Sequence, residues 1–147
     1  MKRVLPIEIR NFLPHRDPML MVDLITAIDD QSVETTFLVA EKCIFVENEH
    51  LSETGLIENA AQTCSAIVAQ NYFVEGANPV QLVGFIGAIK KLSIKELPLV
   101  NQTLTSKAQL ISKMDTEDFV LCLIACTIFA EEKILLETEM NLFIREQ

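Results

Sequence analysis

The sequence is poor in the residues that hold metals, disulfides or nucleic acids. It has only two histidines, and its four cysteines include no Cys-x-x-Cys pair. All four cysteines lie inside apolar runs, so we expect buried, reduced thiols. A metal site would need more His or Cys at ligand spacing, so no metal is predicted. The formal net charge of −9 argues against nucleic acid as a partner.

Long hydrophobic runs are also absent. No apolar stretch approaches the roughly 20 residues of a membrane span, and the N-terminus lacks the hydrophobic region of a secretory signal. We therefore expect no membrane span and a cytoplasmic location. Half of the 147 residues are hydrophobic and 22% are charged, which is typical of a folded chain rather than a disordered one. The length suits one domain, 1–147.

The stretch from Ser52 to Phe73 predicts a long helix. Ser52 is a helix-capping residue type, and Glu53 places negative charge where the helix dipole favours it. Apolar residues then recur at three- and four-residue steps, while the other side carries small or neutral side chains instead of charges. We predict that this helix is buried nearly all round and ends near Glu75–Pro79, where a Gly and a Pro close it.

Glu58 is a carboxylate one turn into this otherwise apolar helix, and two interpretations of it compete. In the first, it is a first-turn residue that faces water and complements the helix dipole. In the second, it is held in an apolar cleft, where it exchanges protons near neutral pH.

Strands are predicted on both sides of the helix. Their ranges are Met19–Ile28, Val33–Ala40, Val80–Ile94, Gln102–Met114, Phe119–Phe129 and Ile134–Ile144. Gly84 and Gly87 predict a bulge in the third strand. The last four strands are long and joined by short connections, which predicts an antiparallel meander. A single apolar helix needs a sheet to cover its faces, so the predicted fold class is α+β, a hotdog fold with a long central helix wrapped by a curved antiparallel β-sheet. The apolar surface that remains favours a dimer.

Three motifs follow one another along the chain. The first is Leu13-Pro-His-Arg-Asp-Pro-Met-Leu-Met-Val-Asp23, the second is Gly55-Leu-Ile-Glu-Asn-Ala-Ala-Gln62, and the third joins Phe85-Ile-Gly87 to Leu97-Pro-Leu-Val-Asn-Gln-Thr-Leu104. They resemble the opening Leu-Pro-His-Arg-x-Pro-Phe-Leu-Leu-Val-Asp, the helix start with Glu four residues before Gln, and the third strand with its connection in FabZ-type 3-hydroxyacyl-ACP dehydratases, a hotdog-fold family.

This resemblance implies a dehydratase that removes water from a 3-hydroxyacyl thioester on acyl carrier protein. Family members use a His and a Glu from opposite subunits of a dimer, and the Glu corresponds to Glu58. The family's His lies in a Gly-His-Phe-Pro loop before the helix. Here the loop is shorter, lacks that motif and contains His50. In this respect the chain resembles a divergent branch, similar to the predicted dehydratases of aryl-polyene-like lipid pathways.

Dehydration needs a base for the C2 proton, an acid for the C3 hydroxyl and donors for the thioester oxygen. A neutral histidine suits the first role, and both His15 and His50 are candidates. Glu58 suits the second, and unpaired N–H groups at Gly55 and Leu56 suit the third. No metal or organic cofactor is required. The alternatives are a structural role for His15 and a solvated loop position for His50.

Further site predictions concern the cavity walls and the surface. Gln62, one turn after Glu58, is predicted to orient the carboxylate, or else to contact the dimer partner. Phe85 and Gly87 are predicted to bind substrate, with Ile86 and Leu92 lining an acyl tunnel or simply belonging to the core. The predicted docking site for an acidic carrier protein consists of Lys90, Lys91 and Lys95, with Arg16 as a possible addition. The alternative is that these lysines only keep a strand edge soluble.

Three functional hypotheses remain open on the sequence alone. The first is a lyase that acts on a 3-hydroxyacyl thioester carried by acyl carrier protein or coenzyme A. The second is a hotdog thioesterase in which Glu58 activates water. The third is a non-catalytic acyl-binding subunit that pairs with an active hotdog partner. Both a homo-oligomer and a hetero-oligomer fit the apolar surface.

Overall fold

The chain combines one long helix with a wide antiparallel sheet. In the computed structural model, residues 4–72 and 82–146 are described. Helix α1 spans Glu53–Ala69 and continues as a 3-10 turn over Gln70–Tyr72, and a second 3-10 turn spans Ile9–Asn11. The strands are β1 Ile7–Glu8, β2 Leu24–Ile28, β3 Ser32–Leu38, β4 Val46–Glu47, β5 His50–Leu51, β6 Leu82–Ile94, β7 Thr103–Asp115, β8 Val120–Ala130 and β9 Lys133–Glu146.

Seven strands form one sheet in the order β1-β2-β3-β7-β8-β9-β6, and β4 and β5 form a separate hairpin. The predicted meander is correct for β7, β8 and β9 but wrong for β6, which pairs with β9. The connection after β6 explains this difference. It crosses under the helix start, where the Leu51 N–H donates to the Pro98 carbonyl at 2.9 Å and the Asn101 N–H donates to the Val39 carbonyl at 2.8 Å. The chain therefore enters β7 beside β3 and away from β6.

Most predicted element boundaries agree with the structure to within two residues. The exception is the predicted strand Met19–Ile28, of which only Leu24–Ile28 joins the sheet. Met19 and Met21 hydrogen-bond to side chains of the helix instead, as described below for the site. The bulge predicted at Gly87 is confirmed by the register shift between Ile86 and Ala88. The predicted helix end at 75–79 and the first residues of the strand from 80 lie outside the described residues.

The core lies between the helix and one face of the sheet. Every second residue of β8 is buried, as expected of a strand with one face on the core. The helix is buried on most of its circumference because small side chains such as Ala60 and Ala66 let the sheet approach. This confirms the prediction of a helix buried nearly all round. Within residues 4–72 and 82–146, no helix has the length and hydropathy to cross a membrane.

Gly55 allows the helix start to pack tightly against the preceding loop. A Cβ at this position would lie 2.5 Å from the Leu51 Cδ1 atom and 2.9 Å from the Phe45 Cβ atom. By contrast, a Cβ at Gly84 would come no closer than 3.8 Å to the side chain of Ile144. The first position therefore needs glycine for steric reasons, and the second does not.

We predict that Gly55→Ala destabilises the protein by about 1–3 kcal/mol, as overpacking of a core does. Helix propensity alone would predict the opposite sign, a gain of up to about 1 kcal/mol. The matched control Gly84→Ala is expected to stay within about 1 kcal/mol of the unmodified protein. The measurement is the free energy of unfolding in urea, and a stabilised Gly55→Ala variant would contradict the packing argument.

Candidate active site

Two hydrogen bonds to Ser52 fix the start of the helix that carries Glu58. The Ser52 Oγ atom accepts a hydrogen bond from the Gly55 N–H at 3.4 Å, and the Ser52 carbonyl accepts one from the Leu56 N–H at 3.1 Å. Glu53 is the acidic residue of the first turn, whereas Glu58 lies in the second turn and is half-buried. The interpretation of Glu58 as a first-turn dipole complement is therefore wrong.

These two capping bonds also correct a prediction about the thioester oxygen. The N–H groups of Gly55 and Leu56 were expected to be unpaired, but Ser52 engages both of them. Both residues are buried against the core, and neither lines the cavity that Glu58 faces. The glycine is required for packing, as described above.

His15 lies on a segment without regular secondary structure that Arg16 holds together. The Arg16 guanidinium donates to the Leu13 carbonyl at 2.8 Å and to the His15 carbonyl at 2.7 Å. The Nδ1 atom of His15 is buried and has no hydrogen-bond partner among the described residues.

Burial lowers the pKa of His15 from its ordinary value of 6.5, because removing water disfavours the charged imidazolium. The negative charge of Glu58 acts in the opposite direction, and the positive charge of Arg16 adds to the lowering. The imidazole is therefore mostly neutral at pH 7. A neutral imidazole beside a carboxyl group can accept a proton.

His15 and Glu58 face the same cavity, which has a volume of about 240 Å³. The helix supplies part of its wall, and β6, β9 and the segment that carries His15 supply the rest. Its lining residues are His15, Glu58, Ala61, Gln62, Ser65, Gly84, Phe85, Ile86 and Leu142. The Ser65 hydroxyl donates to the Ala61 carbonyl at 2.8 Å, so this side chain turns little polarity towards the cavity. The result is a chamber with a mixed polar and apolar wall that contains an imidazole and a carboxyl group.

Gln62 connects the carboxylate to the histidine segment. Its Nε2 atom donates to the Glu58 Oε1 atom at 3.1 Å and to the Met19 carbonyl at 2.9 Å. Its Oε1 atom accepts the Met21 N–H at 2.8 Å. One amide therefore touches Glu58 and also fixes two peptide groups that follow His15. This is why residues 19–21 leave the sheet.

Asn59 adds a second connection from the same helix. Its Nδ2 atom donates to the Met21 carbonyl at 2.6 Å, and its Oδ1 atom accepts from the Ser106 hydroxyl of β7 at 2.6 Å. Neither residue was predicted as a site residue. The available signal was a polar amide on a helix predicted to be buried all round, where it needs partners.

The structure does not bring His50 to this cavity. His50 lies in the short strand β5, opposite Glu47, and its Nδ1 atom is 2.8 Å from the Asn48 carbonyl. Of the other predicted substrate contacts, Phe85 lines the cavity, but Gly87 lies under the ring of Phe143. Leu92 lines a different cavity, of about 370 Å³.

The predicted carrier-docking lysines are spread along β6. The Lys91 ammonium lies 3.3 Å from a carboxylate oxygen of Glu139. Lys90 is exposed, and Lys95 follows the end of the strand, where its N–H donates to the Leu135 carbonyl at 2.8 Å. The spacing along an extended strand places Lys90 about 13 Å and Lys95 about 30 Å from Ile86 in the cavity wall.

A larger cavity of about 680 Å³ lies beside the segment from residue 17 to residue 24. Its ionisable lining includes Asp23, whose carboxylate accepts the Leu38 N–H at 2.8 Å and caps that strand. Burial raises the pKa of Asp23. The cavity has no histidine, so the smaller cavity is the better candidate for acid–base chemistry. Among the described residues, no group of three or more His, Cys, Asp or Glu side chains is arranged to hold a metal ion.

Solved structures share this fold at low sequence identity. A chain of the dehydratase heterocomplex ApeI:P from Xenorhabdus doucetiae is 18% identical, with a TM-score of 0.79 over 96% of this chain and 91% of that one. A hypothetical thioesterase with coenzyme A from Streptococcus pneumoniae is 14% identical, with a TM-score of 0.62 over 84% and 85% of the two chains. The PaaI protein from the phenylacetic acid degradation operon of E. coli is 12% identical, with a TM-score of 0.60 over 80% and 79%. These relatives confirm the predicted hotdog fold.

Comparison of the sequence itself identifies a dehydratase family. No protein of the curated set matches the chain. A family model described as ApeP dehydratase matches residues 7–147, which includes the histidine segment, the helix and all of the large sheet. This confirms the resemblance to a divergent hotdog dehydratase, and the chain belongs to the ApeP-like dehydratase family.

Proposed function

We propose that the protein removes water from a (3R)-hydroxyacyl thioester carried by acyl carrier protein, in fatty-acid or polyene-lipid-like biosynthesis. One observation carries the proposal. His15, whose Nδ1 atom has no hydrogen-bond partner among the described residues, and Glu58 line the same chamber in a member of a dehydratase family. In this proposal His15 is the general base and Glu58 is the general acid.

The reaction balances with these two groups. The neutral imidazole of His15 takes the proton from C2, and the electron pair of that C–H bond forms the C2–C3 double bond. The C3–O bond breaks, and the Glu58 carboxyl group gives its proton to the departing hydroxyl, which leaves as water. Transfer of the proton from the imidazolium to the carboxylate then restores the starting state. The hydrogen bond from Gln62 holds the carboxylate towards the chamber.

The walls of the chamber suit an acyl chain. Phe85, Ile86 and Leu142 offer apolar surface, while the small side chains of Ala61 and Ser65 leave room along the helix. An apolar wall with few polar groups is typical of small-molecule sites.

We predict that Glu58→Gln and His15→Ala each lower turnover of a 3-hydroxyacyl thioester by about 10²–10⁴-fold, the usual contribution of a general acid or base. The glutamine keeps the size of the side chain but has no acidic proton. Dehydration of the 3-hydroxybutyryl thioester of N-acetylcysteamine is the measurement, with circular dichroism to check folding.

His50→Ala is the matched control, because it removes the other histidine and leaves the chamber unchanged. Activity close to that of the unmodified protein is expected. Loss of activity in His50→Ala but not in His15→Ala would assign the base to His50 of the partner subunit instead. Release of free thiol without formation of the enoyl product would favour the thioesterase hypothesis.

We further propose that a second subunit covers β6, as either a homo- or a hetero-oligomer. β6 is the last strand of the sheet, and among the described residues only β9 pairs with it. Its side chains Phe85, Ile86, Ile89 and Leu92 are 38–56% exposed. A long apolar edge of this kind is a template for another chain. The volume of 240 Å³ is also below the roughly 300–1,000 Å³ of typical ligand sites, which is consistent with a chamber shared between subunits.

We predict that the unmodified protein is a homodimer at micromolar concentration, so that sedimentation gives twice the chain mass of 16.5 kDa. Ile89→Glu is expected to dissociate the dimer, because it places a charge on the apolar edge. Ile111→Glu is the control, since this isoleucine is similarly exposed, at 49% against 40%, but lies on β7. A monomer of the unmodified chain would contradict the homodimer and favour a different partner.

We also propose that Lys90 and Lys91 attract the acidic carrier. The chain has a formal net charge of −9, so an acidic partner needs a local group of basic residues to bind. Lys90→Glu is expected to weaken turnover of the carrier-bound thioester, most strongly at low salt, and to leave turnover of the N-acetylcysteamine thioester unchanged. Lys133→Glu is the control, because Lys133 lies about 30 Å along β9 from Leu142 in the cavity wall. Equal effects of the two variants would reject the docking site.

A further inference from the structure

The polar groups behind the chamber form a chain that begins in the sheet. The Ser106 hydroxyl of β7 donates to the Asn59 Oδ1 atom, and the Asn59 Nδ2 atom donates to the Met21 carbonyl, both at 2.6 Å. Ser106 and Asn59 are fully buried. The Met21 carbonyl can only accept, so the amide nitrogen of Asn59 must point towards it and the amide oxygen towards the Ser106 hydroxyl, which donates. The hydroxyl therefore supports this rotation of the amide, and the amide connects the sheet to the Met21 peptide.

The Met21 peptide is in turn connected to His15. Gln62 accepts the Met21 N–H, so both polar groups of residue 21 are held by helix side chains. The Arg16 carbonyl, next to His15, accepts the Met19 N–H at 2.9 Å, and the Met19 carbonyl accepts from Gln62. Among the described residues, the side-chain amides of Gln62 and Asn59 therefore attach the segment that follows His15 to the helix that carries Glu58.

A second buried pair on the same helix lacks this connection. The Thr35 hydroxyl of β3 and the Thr63 hydroxyl lie 2.8 Å apart, and both residues are fully buried. This pair joins the helix to the sheet, as Asn59 and Ser106 do, but its hydrogen bond does not extend to the segment from Leu13 to Met21. It is therefore a natural control for the loss of one buried hydrogen bond between the helix and the sheet.

We propose that Asn59, supported by Ser106, is a positioning residue that sets the place of His15 relative to Glu58. The inference rests on the roles proposed above for those two groups, but the placement of His15 can be measured without any activity. Asn59 touches neither the chamber nor a substrate. Its effect passes through the Met21 peptide.

The experiment uses Asn59→Ala, Ser106→Ala and the control Thr35→Val. Ser106→Ala and Thr35→Val form a matched pair, since each removes one strand hydroxyl and leaves its helix partner unsatisfied. Ser106→Ala also keeps the amide of Asn59, so it carries the test if Asn59→Ala does not fold. Unfolding in urea measures the stability of all three variants.

The first measurement is the NMR titration of the two histidine rings, assigned by a His50→Asn variant. In the unmodified protein, His15 is expected to titrate below 6.5, between the opposing charges of Glu58 and Arg16. In Asn59→Ala its pKa is expected to move towards 6.5, because a released segment admits water, and Ser106→Ala is expected to shift it less, in the same direction. No shift is expected in Thr35→Val.

The second measurement is turnover of the N-acetylcysteamine thioester. Asn59→Ala is expected to lower kcat by about 10- to 100-fold at nearly constant KM, because a displacement of about 1 Å is enough to cost that much. Thr35→Val is expected to change kcat less than threefold at equal loss of stability.

The outcomes separate the two proposals. An unchanged His15 titration in both Asn59→Ala and Ser106→Ala, or an equal shift in Thr35→Val, overturns the positioning role even if the protein is an active dehydratase. A shift confined to Asn59→Ala and Ser106→Ala supports the positioning role, and it does so even if the unmodified protein proves inactive and the proposed reaction is wrong.

Discussion

The side-chain amide of Gln62 is the interaction on which the candidate site depends. It contacts the Glu58 carboxylate, the Met19 carbonyl and the Met21 N–H at the same time. An amide offers both donors and an acceptor, and a shorter or charged side chain at this position would leave at least one peptide group unpaired. An unsatisfied buried peptide group costs about 1–3 kcal/mol. The side chain that contacts the Glu58 carboxylate is therefore also the one that the fold needs to pair these two peptide groups.

This dependence explains the composition of the helix. Side chains that pack on the sheet are mostly small, which brings the helix backbone close to β3, β7 and β8. Three polar side chains on the buried surface, Asn59, Gln62 and Thr63, each have a protein partner. An apolar helix would be cheaper to bury, but it would give the segment after His15 no partner for its peptide groups. The polar side chains Asn59 and Gln62 therefore specify where that segment lies.

The sequence was sufficient for features that depend on local periodicity. The helix, the long strands and the bulge at Gly87 all follow from residue spacing, and Glu58 stands out because it interrupts an apolar pattern. Features that depend on contacts between distant segments were not predictable. The pairing of β6 with β9 is set by where the Leu97–Gln102 connection crosses, and the apolar run from Met19 has the composition of a strand although helix side chains take its hydrogen bonds.

The choice between the two histidines was equally inaccessible. Their neighbours in sequence say little, because His15 reaches the chamber through the packing of its turn on a helix more than forty positions later. Spacing nevertheless carried partial information. Glu58, Ala61, Gln62 and Ser65 follow the three- and four-residue steps of a single helix stripe, and all four line the chamber. That stripe alternates long polar side chains with small ones, a pattern that differs from an apolar helix face.

The position of β6 has a thermodynamic consequence. Within residues 4–72 and 82–146 the strand pairs with β9 alone, yet Phe85 and Ile86 of this strand form part of the wall of the chamber. Any protein that binds along its outer edge fixes that wall, so occupancy of the chamber and assembly at the edge are linked equilibria. By reciprocity, a molecule whose affinity for the chamber rises on assembly strengthens the assembly by the same factor. A molecule bound in the chamber would then also regulate the quaternary structure.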